Sequence, residues 1–258
     1  MILDKFSLQG KVIILTGGSG LYGRQLTRGI AEAGARLIIA SRNVEKLEAD
    51  AAAQRERGLD VTAAPLDQAD ESSILALRDQ VVSTHGGIDG LVNNSVLRTM
   101  AGVHDPVDNW ERSMQVNATG LFLMSRTFGE VMASQGGGSI VNIGSIQGMV
   151  GPTVELYDGT DMGVPPPDYF FHKAGMIGLT RYFAAIYGKR GVRVNCVSAG
   201  GFFNEQPQPF LANYERNTML GRMASSEDLA GSVVFLLGEA SAYITAANLA
   251  VDGGYTAK

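Results

Sequence analysis

The sequence predicts one α/β domain built on a doubly wound parallel sheet. Three observations support this fold class. Short apolar runs alternate with helix-length segments, a glycine cluster follows the first apolar run, and the 258 residues fit a single hydrophobic core. A β/α barrel also alternates, but a glycine cluster after the first strand is typical of the doubly wound sheet.

The individual elements follow from the positions where apolar runs stop. Short apolar runs are typical of buried strands, and they predict strands at residues 12–15 and 37–40. The alternation of strand and helix continues with predicted strands at residues 61–66, 88–92, 140–143, 192–197 and 248–251. Segments of helical character predict helices at residues 21–33, 44–57, 72–83, 110–133, 170–187 and 226–237. Two long stretches interrupt the alternation, an insertion at residues 146–168 and a loop at residues 200–219. Loops of this length in a compact domain are usually functional or disordered.

The composition excludes several functional classes. The 21 Lys and Arg residues against 26 Asp and Glu give a net charge of −5, which argues against a nucleic-acid or anionic-membrane partner. The single cysteine, Cys196, allows no internal disulfide. The cysteine and the three histidines are scattered along the chain, so no metal site is expected. No apolar run approaches the ~18–20 residues that span a bilayer, and the first run is too short for a signal peptide. We therefore expect a cytoplasmic protein.

The glycine cluster predicts a dinucleotide site. Gly18, Gly20 and Gly23 match G-x-G-x-x-G between the first strand and the first helix. Glycines let the backbone turn tightly and approach a pyrophosphate at the helix N-terminus, and the strand–turn–helix context makes the motif specific. The residues expected to contact the cofactor here are Gly17, Ser19, Gly20, Leu21 and Tyr22.

The end of the second strand indicates which dinucleotide binds. An NAD site usually carries an Asp or Glu there, about 20 residues after the glycines, to hold the ribose hydroxyls. This chain has Ser41 and Arg42 instead, and an arginine suits a 2′-phosphate, so NADP(H) is favoured over NAD(H). Asp67, after the third strand, is expected either to accept a hydrogen bond from the adenine amine or to cap the next helix.

A tyrosine–lysine pair marks a second candidate site. Tyr169 and Lys173 are four residues apart, so on a helix they share one face. A lysine ammonium beside a phenol favours the ionised phenol. The three prolines just upstream predict that Tyr169 lies in the first helical turn, where the helix dipole has the same effect. This pattern is typical of an acid–base pair, although Tyr-x-x-x-Lys also occurs by chance on solvent-facing helices.

With these motifs, essentially the whole chain resembles the short single-domain branch of the short-chain dehydrogenase/reductase family. The resemblance also rests on motifs in the family's order, namely Asn93-Asn94, Val116-Asn117-Ala118-Thr119-Gly120, Ile143-Gly144-Ser145, residues 192–198 and Val251-Asp252-Gly253-Gly254. It implies a Rossmann-like sheet that binds NAD(P) and an oxidoreductase that acts on alcohol and carbonyl groups.

The resemblance implies a catalytic tetrad. Tyr169 would be the general acid–base, and Lys173 would hold the nicotinamide ribose. Ser145 would bind the carbonyl oxygen, and Asn117 would hold a water molecule in a proton relay. The resemblance also implies a homodimer or homotetramer packed through the helices that carry Asn117 and Tyr169. Further cofactor-binding positions that we expect are Asn93, Gly200, Phe202 and Asn204.

The chain departs from the family pattern in two informative ways. The middle glycine of the first loop is Gly20, where the short branch usually has it at the position of Leu21, and this spacing is that of sugar-nucleotide epimerases and dehydratases. The family tyrosine usually follows the serine by about a dozen residues, where this chain has Tyr157 with Asp161, not lysine, four residues on. We interpret Tyr169 as catalytic, with an insertion of 11 or 12 residues that resembles one in members close to gluconate 5-dehydrogenases.

These observations lead to one functional hypothesis and three alternatives. The hypothesis is an NADP(H)-dependent oxidoreductase that interconverts a ketone and a secondary alcohol on a small polar, sugar- or polyol-like substrate. The insertion carries four acidic residues and no Lys or Arg, so we expect an acidic roof that binds hydroxyls and repels an acyl carrier protein. The alternatives are a 3-oxoacyl-carrier-protein reductase, a sugar-nucleotide epimerase or dehydratase, and a non-catalytic dinucleotide sensor. The expected substrate-binding residues are Ser145, Gln147, Tyr157, Tyr169 and Phe203.

Overall fold

The computed structural model describes residues 1–258 and contains one seven-stranded sheet in which every pair of neighbouring strands is parallel. The strand order β3-β2-β1-β4-β5-β6-β7 runs outward from β1 in both directions, which confirms the doubly wound fold class. The strands are β1 (Val12–Thr16), β2 (Arg36–Ser41), β3 (Val61–Pro65), β4 (Gly90–Asn93), β5 (Gly138–Ser145), β6 (Val192–Ala199) and β7 (Asn248–Val251).

Helices cover both faces of the sheet, and each face has its own apolar core. Alternate residues of a strand point to opposite faces, so Ile13 and Leu15 pack in one core while Val12 and Ile14 pack in the other. The first core includes residues of α1, α2 and α8, and the second includes residues of α3, α5 and α6. The helices are α1 (Leu21–Glu32), α2 (Val44–Arg55), α3 (Glu71–His85), α4 (Val107–Met114), α5 (Leu121–Ser134), α6 (Pro167–Tyr187), α7 (Gln208–Asn217) and α8 (Ala230–Leu237).

Two predicted elements differ from the structure near the carboxyl ends of the strands. The continuous helix expected at residues 110–133 is divided into α4 and α5 by a π-helix, Gln115–Gly120, and such wider turns occur mostly at functional sites. The segment 200–219, expected to be a loop, contains α7. Its prolines do not break this helix, because Pro207 is the N-cap and Pro209 lies in the first turn, where no backbone N–H is needed.

The predicted helix at residues 226–237 begins later, at Ala230. The four preceding residues form a turn instead, since the Asp228 carboxylate accepts hydrogen bonds from the Ser225 N–H and from Arg222. The insertion 146–168 contains two short 3₁₀ helices, Ile146–Gly148 and Val154–Tyr157, before α6 begins.

Candidate active site

A large cavity of about 940 Å³ opens along the carboxyl edge of the sheet. The strand order reverses between β1 and β4, and ligands of doubly wound sheets bind in the crevice at that point. Residues of the glycine loop, the ends of five strands, the insertion and the 200–219 segment all line this cavity. The sequence-predicted sites therefore meet in one place.

The glycine loop forms one end of the cavity in a shape that suits a pyrophosphate. Gly17 has a left-handed backbone with φ +69°, and a Cβ on Gly23 would lie only 2.1 Å from the Gly17 carbonyl oxygen. The Ser19 hydroxyl is buried without a hydrogen-bond partner, which leaves a donor for a bound anion. All five expected loop residues line the cavity, and so the donor set fits a dinucleotide.

The Tyr22 side chain joins the glycine loop to the end of β6. Its hydroxyl donates a hydrogen bond to the Gly200 carbonyl oxygen at 2.7 Å. Its ring meets Phe202 edge-on, with the ring centroids 5.2 Å apart. Burial raises the pKa of the Tyr22 hydroxyl well above its usual range, so the phenol stays a hydrogen-bond donor. Gly200 and Phe202 both line the cavity beside the loop.

Two cationic side chains line the cavity next to the end of β2. Ser41 and Arg42 line it as expected, and Lys46 in the first turn of α2 lies beside them. Neither cation forms an ion pair with a carboxylate within 4.0 Å. Lys46 was not predicted from the sequence, although its position four residues after Arg42 at a helix start could have indicated it.

Asp67 lines the cavity at the end of β3 and does not cap the next helix. Its Oδ1 accepts a hydrogen bond from the Ala69 N–H at 3.0 Å, whereas the N-cap of α3 is Asp70. Of the two uses that the sequence left open for Asp67, capping is therefore wrong. The other, contact with an adenine amine, stays a prediction.

The two asparagines after β4 have different environments. Asn93 is buried outside the cavity lining, where its Nδ2 donates to Asn142 Oδ1 at 2.8 Å. Asn94 lines the cavity, and its Nδ2 donates to the carbonyl oxygens of Thr16 and Gly17, both at 3.0 Å. The neighbour that supports the glycine loop is thus Asn94 rather than the expected Asn93. A side chain at the end of a strand reverses direction with each residue, so the sequence alone did not separate the two.

Two further expected residues, Phe203 and Asn204, lie outside the cavity lining and are exposed to solvent. The Phe203 N–H bonds the Ala224 carbonyl oxygen in the bridge that fixes this segment. This backbone pairing directs neighbouring side chains to alternate sides, so that Phe202 faces the cavity and Phe203 faces solvent.

Tyr169 and Lys173 face the cavity from the first two turns of α6, and Ser145 faces it from the end of β5. The Lys173 Nζ lies 5.7 Å from the centroid of the Tyr169 ring and donates a hydrogen bond to the Ile143 carbonyl oxygen at 2.6 Å. Burial lowers the pKa of Lys173, while the neighbouring Tyr169 acts in the opposite direction. The pair therefore places an amino group and a phenol close together in the cavity lining.

The Asn117 side chain binds protein rather than facing the cavity. Its Oδ1 accepts from the Leu97 N–H at 2.8 Å, and its Nδ2 donates to the Leu97 carbonyl oxygen at 2.7 Å and to Ser113 Oγ at 3.0 Å. Asn117 is also absent from the cavity lining. Its amide thus fixes the segment after β4, and any contact with a relay water would use its main chain.

Arg98, which was not predicted from the sequence, lies on the ring of Tyr169. Its guanidinium carbon is 4.8 Å from the ring centroid, and it forms no ion pair with a carboxylate. Arg98 also lines the cavity. Because Asn117 fixes Leu97, the adjacent arginine is held close to the phenol. A basic residue five positions after the end of β4 was the available signal.

The insertion lines the cavity with an apolar face, and the acidic roof expected from its composition is absent. Glu155, Asp158 and Asp161 are exposed and outside the lining, while Asp168 is buried and bonded to Ser113. The backbone of the insertion presents the first three carboxylates to solvent, which composition could not reveal. The insertion residues that do line the cavity are Ile146, Leu156, Tyr157, Met162, Gly163, Val164, Pro165 and Pro166, together with Gln147.

The insertion is fastened to α7. The Asn213 amide donates to the carbonyl oxygens of residues 155, 156 and 158 at 3.3, 3.2 and 3.3 Å. Leu156 packs in an apolar cluster with Phe210 and Tyr214 of α7. Burial raises the pKa of Tyr157 to about 12, so this second phenol stays protonated at neutral pH.

A close backbone contact links the insertion to α6. Gly148 lies at the end of the first 3₁₀ turn, three residues after Ser145. A Cβ at this position would lie 2.6 Å from both the carbonyl carbon and the oxygen of Lys173. Only glycine allows the turn to pack this closely on α6.

His172 is buried beside the tyrosine and has no hydrogen-bond partner on either ring nitrogen. Its ring meets the Tyr169 ring edge-on at 5.2 Å between centroids. Desolvation, with a smaller effect of Lys173, lowers the pKa of His172 to about 3. The imidazole is therefore neutral and serves as packing against the phenol.

No group of three or more His, Cys, Asp or Glu side chains is placed to hold a metal ion. The helices are all too short or too polar to cross a lipid bilayer.

Comparison with known proteins identifies the family. Residues 20–256 match a family model described as Enoyl-(Acyl carrier protein) reductase. The chain is 32% identical to a 2-dehydro-3-deoxy-D-gluconate 5-dehydrogenase from Dickeya dadantii, with 100% of both proteins covered. It is 34% identical to a D-threitol dehydrogenase from Mycolicibacterium smegmatis, with 98% of this chain and 95% of that protein covered.

A solved structure supports the same conclusion. The gluconate 5-dehydrogenase from Burkholderia cenocepacia J2315, crystallised in complex with NADP and tartrate, matches this fold with a TM-score of 0.90. The two chains are 29% identical, and the match covers 100% of each. The chain belongs to the short-chain dehydrogenase/reductase family of oxidoreductases.

Proposed function

We propose that this protein is an NADP(H)-dependent dehydrogenase that interconverts a secondary alcohol and a ketone on polyols or sugar acids, with Tyr169 as the general acid–base. The observation that carries the proposal is the environment of Tyr169. Its ring lines the cavity, and the guanidinium carbon of Arg98 and the buried Lys173 Nζ lie 4.8 and 5.7 Å from the ring centroid. Cations near a phenol stabilise the negative charge that develops on it while its proton moves to or from a substrate oxygen.

The mechanism follows from the chemistry of these side chains. When bound, NADP(H) would supply or accept a hydride at the substrate carbon. The Tyr169 hydroxyl would give its proton to the substrate oxygen during reduction and take a proton from it during oxidation. Ser145 would donate a hydrogen bond to the same oxygen. Lys173 would stabilise the phenolate formed when Tyr169 loses its proton, and it lies close enough to do so.

The cofactor preference rests on Arg42 and Lys46. Both line the cavity after β2, where the chain offers no carboxylate to hold free ribose hydroxyls. Guanidinium and ammonium groups without carboxylate partners suit a 2′-phosphate, which carries negative charge and accepts several hydrogen bonds. The related gluconate 5-dehydrogenase crystallised with NADP agrees with this preference.

The substrate class rests on the polar groups that face the rest of the cavity. Gln147 and the Tyr157 hydroxyl offer hydrogen bonds to substrate hydroxyls, and Arg98 offers a charge to a carboxylate. The relatives include proteins named for a polyol and for sugar acids. Because of Arg98, the proposed substrates include sugar acids in addition to the neutral compounds expected from the sequence.

An acyl-carrier-linked 3-oxo substrate is the second candidate, because one observation favours it. The insertion and α7 present Leu156, Met162, Val164 and Phe210 to the cavity, an apolar wall that suits an acyl chain. The exposed carboxylates of the insertion do not line the cavity, so they would not repel an acyl chain bound inside it.

A substrate panel tests the proposal. Gluconate, a hexitol of equal length and an acetoacetyl thioester are compared with NADP⁺ or NADPH by absorbance at 340 nm. We expect the sugar compounds to be used with the higher kcat/KM, and a tenfold advantage for the thioester would refute the substrate class.

The matched variants Arg98→Gln and Arg190→Gln refine this test. Both arginines lie over tyrosine rings, at 4.8 and 5.7 Å from the centroids, but only Arg98 lines the cavity. A charged hydrogen bond contributes about 1.5–3 kcal/mol, so Arg98→Gln should raise KM for the acid about 10–100-fold and for the hexitol much less. Arg190→Gln should change neither value.

We also propose a homodimer or homotetramer that packs through α5 and α6. The exposed aromatic and aliphatic side chains on these helices, Phe122, Tyr182 and Ile186, support it. Light scattering after gel filtration gives the mass, and a monomer of 27.3 kDa at micromolar concentration would contradict the proposal. The cytoplasmic location stays a prediction.

A further inference from the structure

A buried chain of hydrogen bonds connects the helix of Tyr169 with the turn of Asn117. Ser113 in α4, Asn117 in the π-helix and Asp168 in α6 are all buried, with 0%, 5% and 2% exposure. The Ser113 hydroxyl donates to Asp168 Oδ2 and accepts from Asn117 Nδ2 at 3.0 Å. Its single proton and its lone pairs are thereby directed to specific partners.

The buried carboxylate is the unusual member of this chain. No cationic side chain forms an ion pair with Asp168, and its Oδ1 has no hydrogen-bond partner. A carboxylate removed from water without a counter-charge destabilises a fold unless its surroundings compensate, and an apolar residue is often the more stable choice. The first turn of α6 supplies part of that compensation, because Asp168 lies at the positive end of the helix dipole.

The position of Asp168 explains what the hydrogen bonds do. Asp168 directly precedes Tyr169 in the first helical turn, so the direction of its side chain fixes the rotation of that turn. Apolar packing between the same two helices joins Trp110 to the exposed Phe171, with ring centroids 5.3 Å apart. Apolar contacts tolerate sliding, whereas hydrogen bonds are directional.

We infer that Ser113 and Asp168 are positioning residues that hold the Tyr169 phenol in register with Asn117 and the bound substrate. The chain runs from Asp168 through Ser113 to the amide of Asn117, which in turn fixes Leu97 and the adjacent Arg98. One network therefore constrains both the helical turn that carries the phenol and the segment that carries the arginine on its ring. The inference rests on the proposed role of Tyr169 as acid–base but not on the identity of the substrate.

The test compares two Ser→Ala variants. Ser113→Ala removes the network, whereas Ser139→Ala removes a hydrogen bond of equal burial, from Ser139 Oγ to the Leu236 carbonyl oxygen, at the opposite end of β5. With any substrate that the wild-type protein turns over, we expect Ser113→Ala to lower kcat about tenfold with KM within twofold, because small misplacements cost mainly the chemical step. Equal kcat values in the two variants would overturn the inference.

Asp168 is tested by the two variants Asp168→Asn and Asp168→Leu. The asparagine keeps an acceptor for the Ser113 hydroxyl, so it should retain kcat within threefold of wild type, while leucine should lose tenfold or more. Equal losses in both would overturn the role of the hydrogen bond. If the leucine variant does not fold, the Ser113 comparison decides.

A measurement without substrate separates this inference from the proposed function. Backbone amide exchange of residues 168–173 should become faster in Ser113→Ala and remain unchanged in Ser139→Ala. If exchange rises as expected but no alcohol is oxidised by the wild-type protein, the proposed function fails and the positioning network stands. Unchanged exchange in Ser113→Ala refutes the network.

Discussion

A methyl group at Gly148 should move the turn that follows Ser145 away from the helix that carries Tyr169. A Cβ at this position would lie 2.6 Å from the carbonyl carbon and oxygen of Lys173, whereas ordinary van der Waals contact begins at 3.4 Å. The difference between 3.4 and 2.6 Å, about 0.8 Å, must be taken up by the backbone, since neither contacted atom belongs to a flexible side chain. The turn that follows Ser145 would move away from α6, which carries Tyr169.

The size of the effect follows from that displacement. A misplacement of about 1 Å between reacting groups costs on the order of 100-fold in rate. We therefore expect Gly148→Ala to lower kcat about 10–100-fold for both oxidation and reduction. The measurement is steady-state kinetics at saturating cofactor, with thermal unfolding to verify that the variant is folded.

Gly151→Ala is the matched control for this prediction. It lies in the same insertion, and a Cβ there would meet no atom within 4 Å. Neither glycine has a left-handed backbone, so both substitutions change backbone freedom in the same way. A kcat for Gly148→Ala within twofold of that for Gly151→Ala would refute the argument that close packing sets the catalytic geometry.

Three more predictions concern the chemistry, the cofactor and acid stability. Tyr169→Phe should abolish turnover and leave NADPH binding, followed by fluorescence, within a few-fold, whereas Tyr157→Phe should keep substantial activity; swapped phenotypes would show that the insertion is misassigned. Arg42→Ala should weaken NADPH binding about 10–100-fold and NADH binding hardly at all, and equal effects would contradict the 2′-phosphate contact. The buried neutral His172, with a pKa of about 3, cannot take up the proton that the unfolded chain binds below pH 6.5. The free energy of unfolding should thus decrease as the pH is lowered from 6.5 to 3, by about 2 kcal/mol at pH 5. Urea unfolding of His172→Phe should show a shallower dependence of this free energy on pH.

The sheet was predictable because its strands are short, mainly apolar segments that alternate with helix-length segments. The bounds of β1, β2 and β6 accordingly differ from expectation by at most two residues. The π-helix was not predictable, because its wider turn accompanies contacts between the Asn117 side chain and Leu97, which is distant in sequence. Helix α7 was missed because two prolines that would break a helix interior are compatible with a helix start.

In the site, likewise, residues recognised by their spacing along the chain were predicted, whereas residues brought together by tertiary packing were not. The glycine loop and the Tyr169–Lys173 pair depend on local spacing, and both line the cavity. Arg98 was missed, since its relation to Tyr169 depends on how two segments pack. The charges of the insertion were counted correctly, but composition carries no information about which face a turn presents.

The three carbonyl contacts of Asn213 have a consequence for the exchange of substrate specificity between relatives. The middle of the insertion depends on α7 for much of its support, because Asn213 binds three of its backbone carbonyls and its buried residue Leu156 packs against α7 side chains. A chimera that received residues 146–166 alone would therefore contain the cavity-lining insertion without the helix α7 that holds it in place. Insertion and α7 form one transferable unit, and a successful graft has to move both segments together.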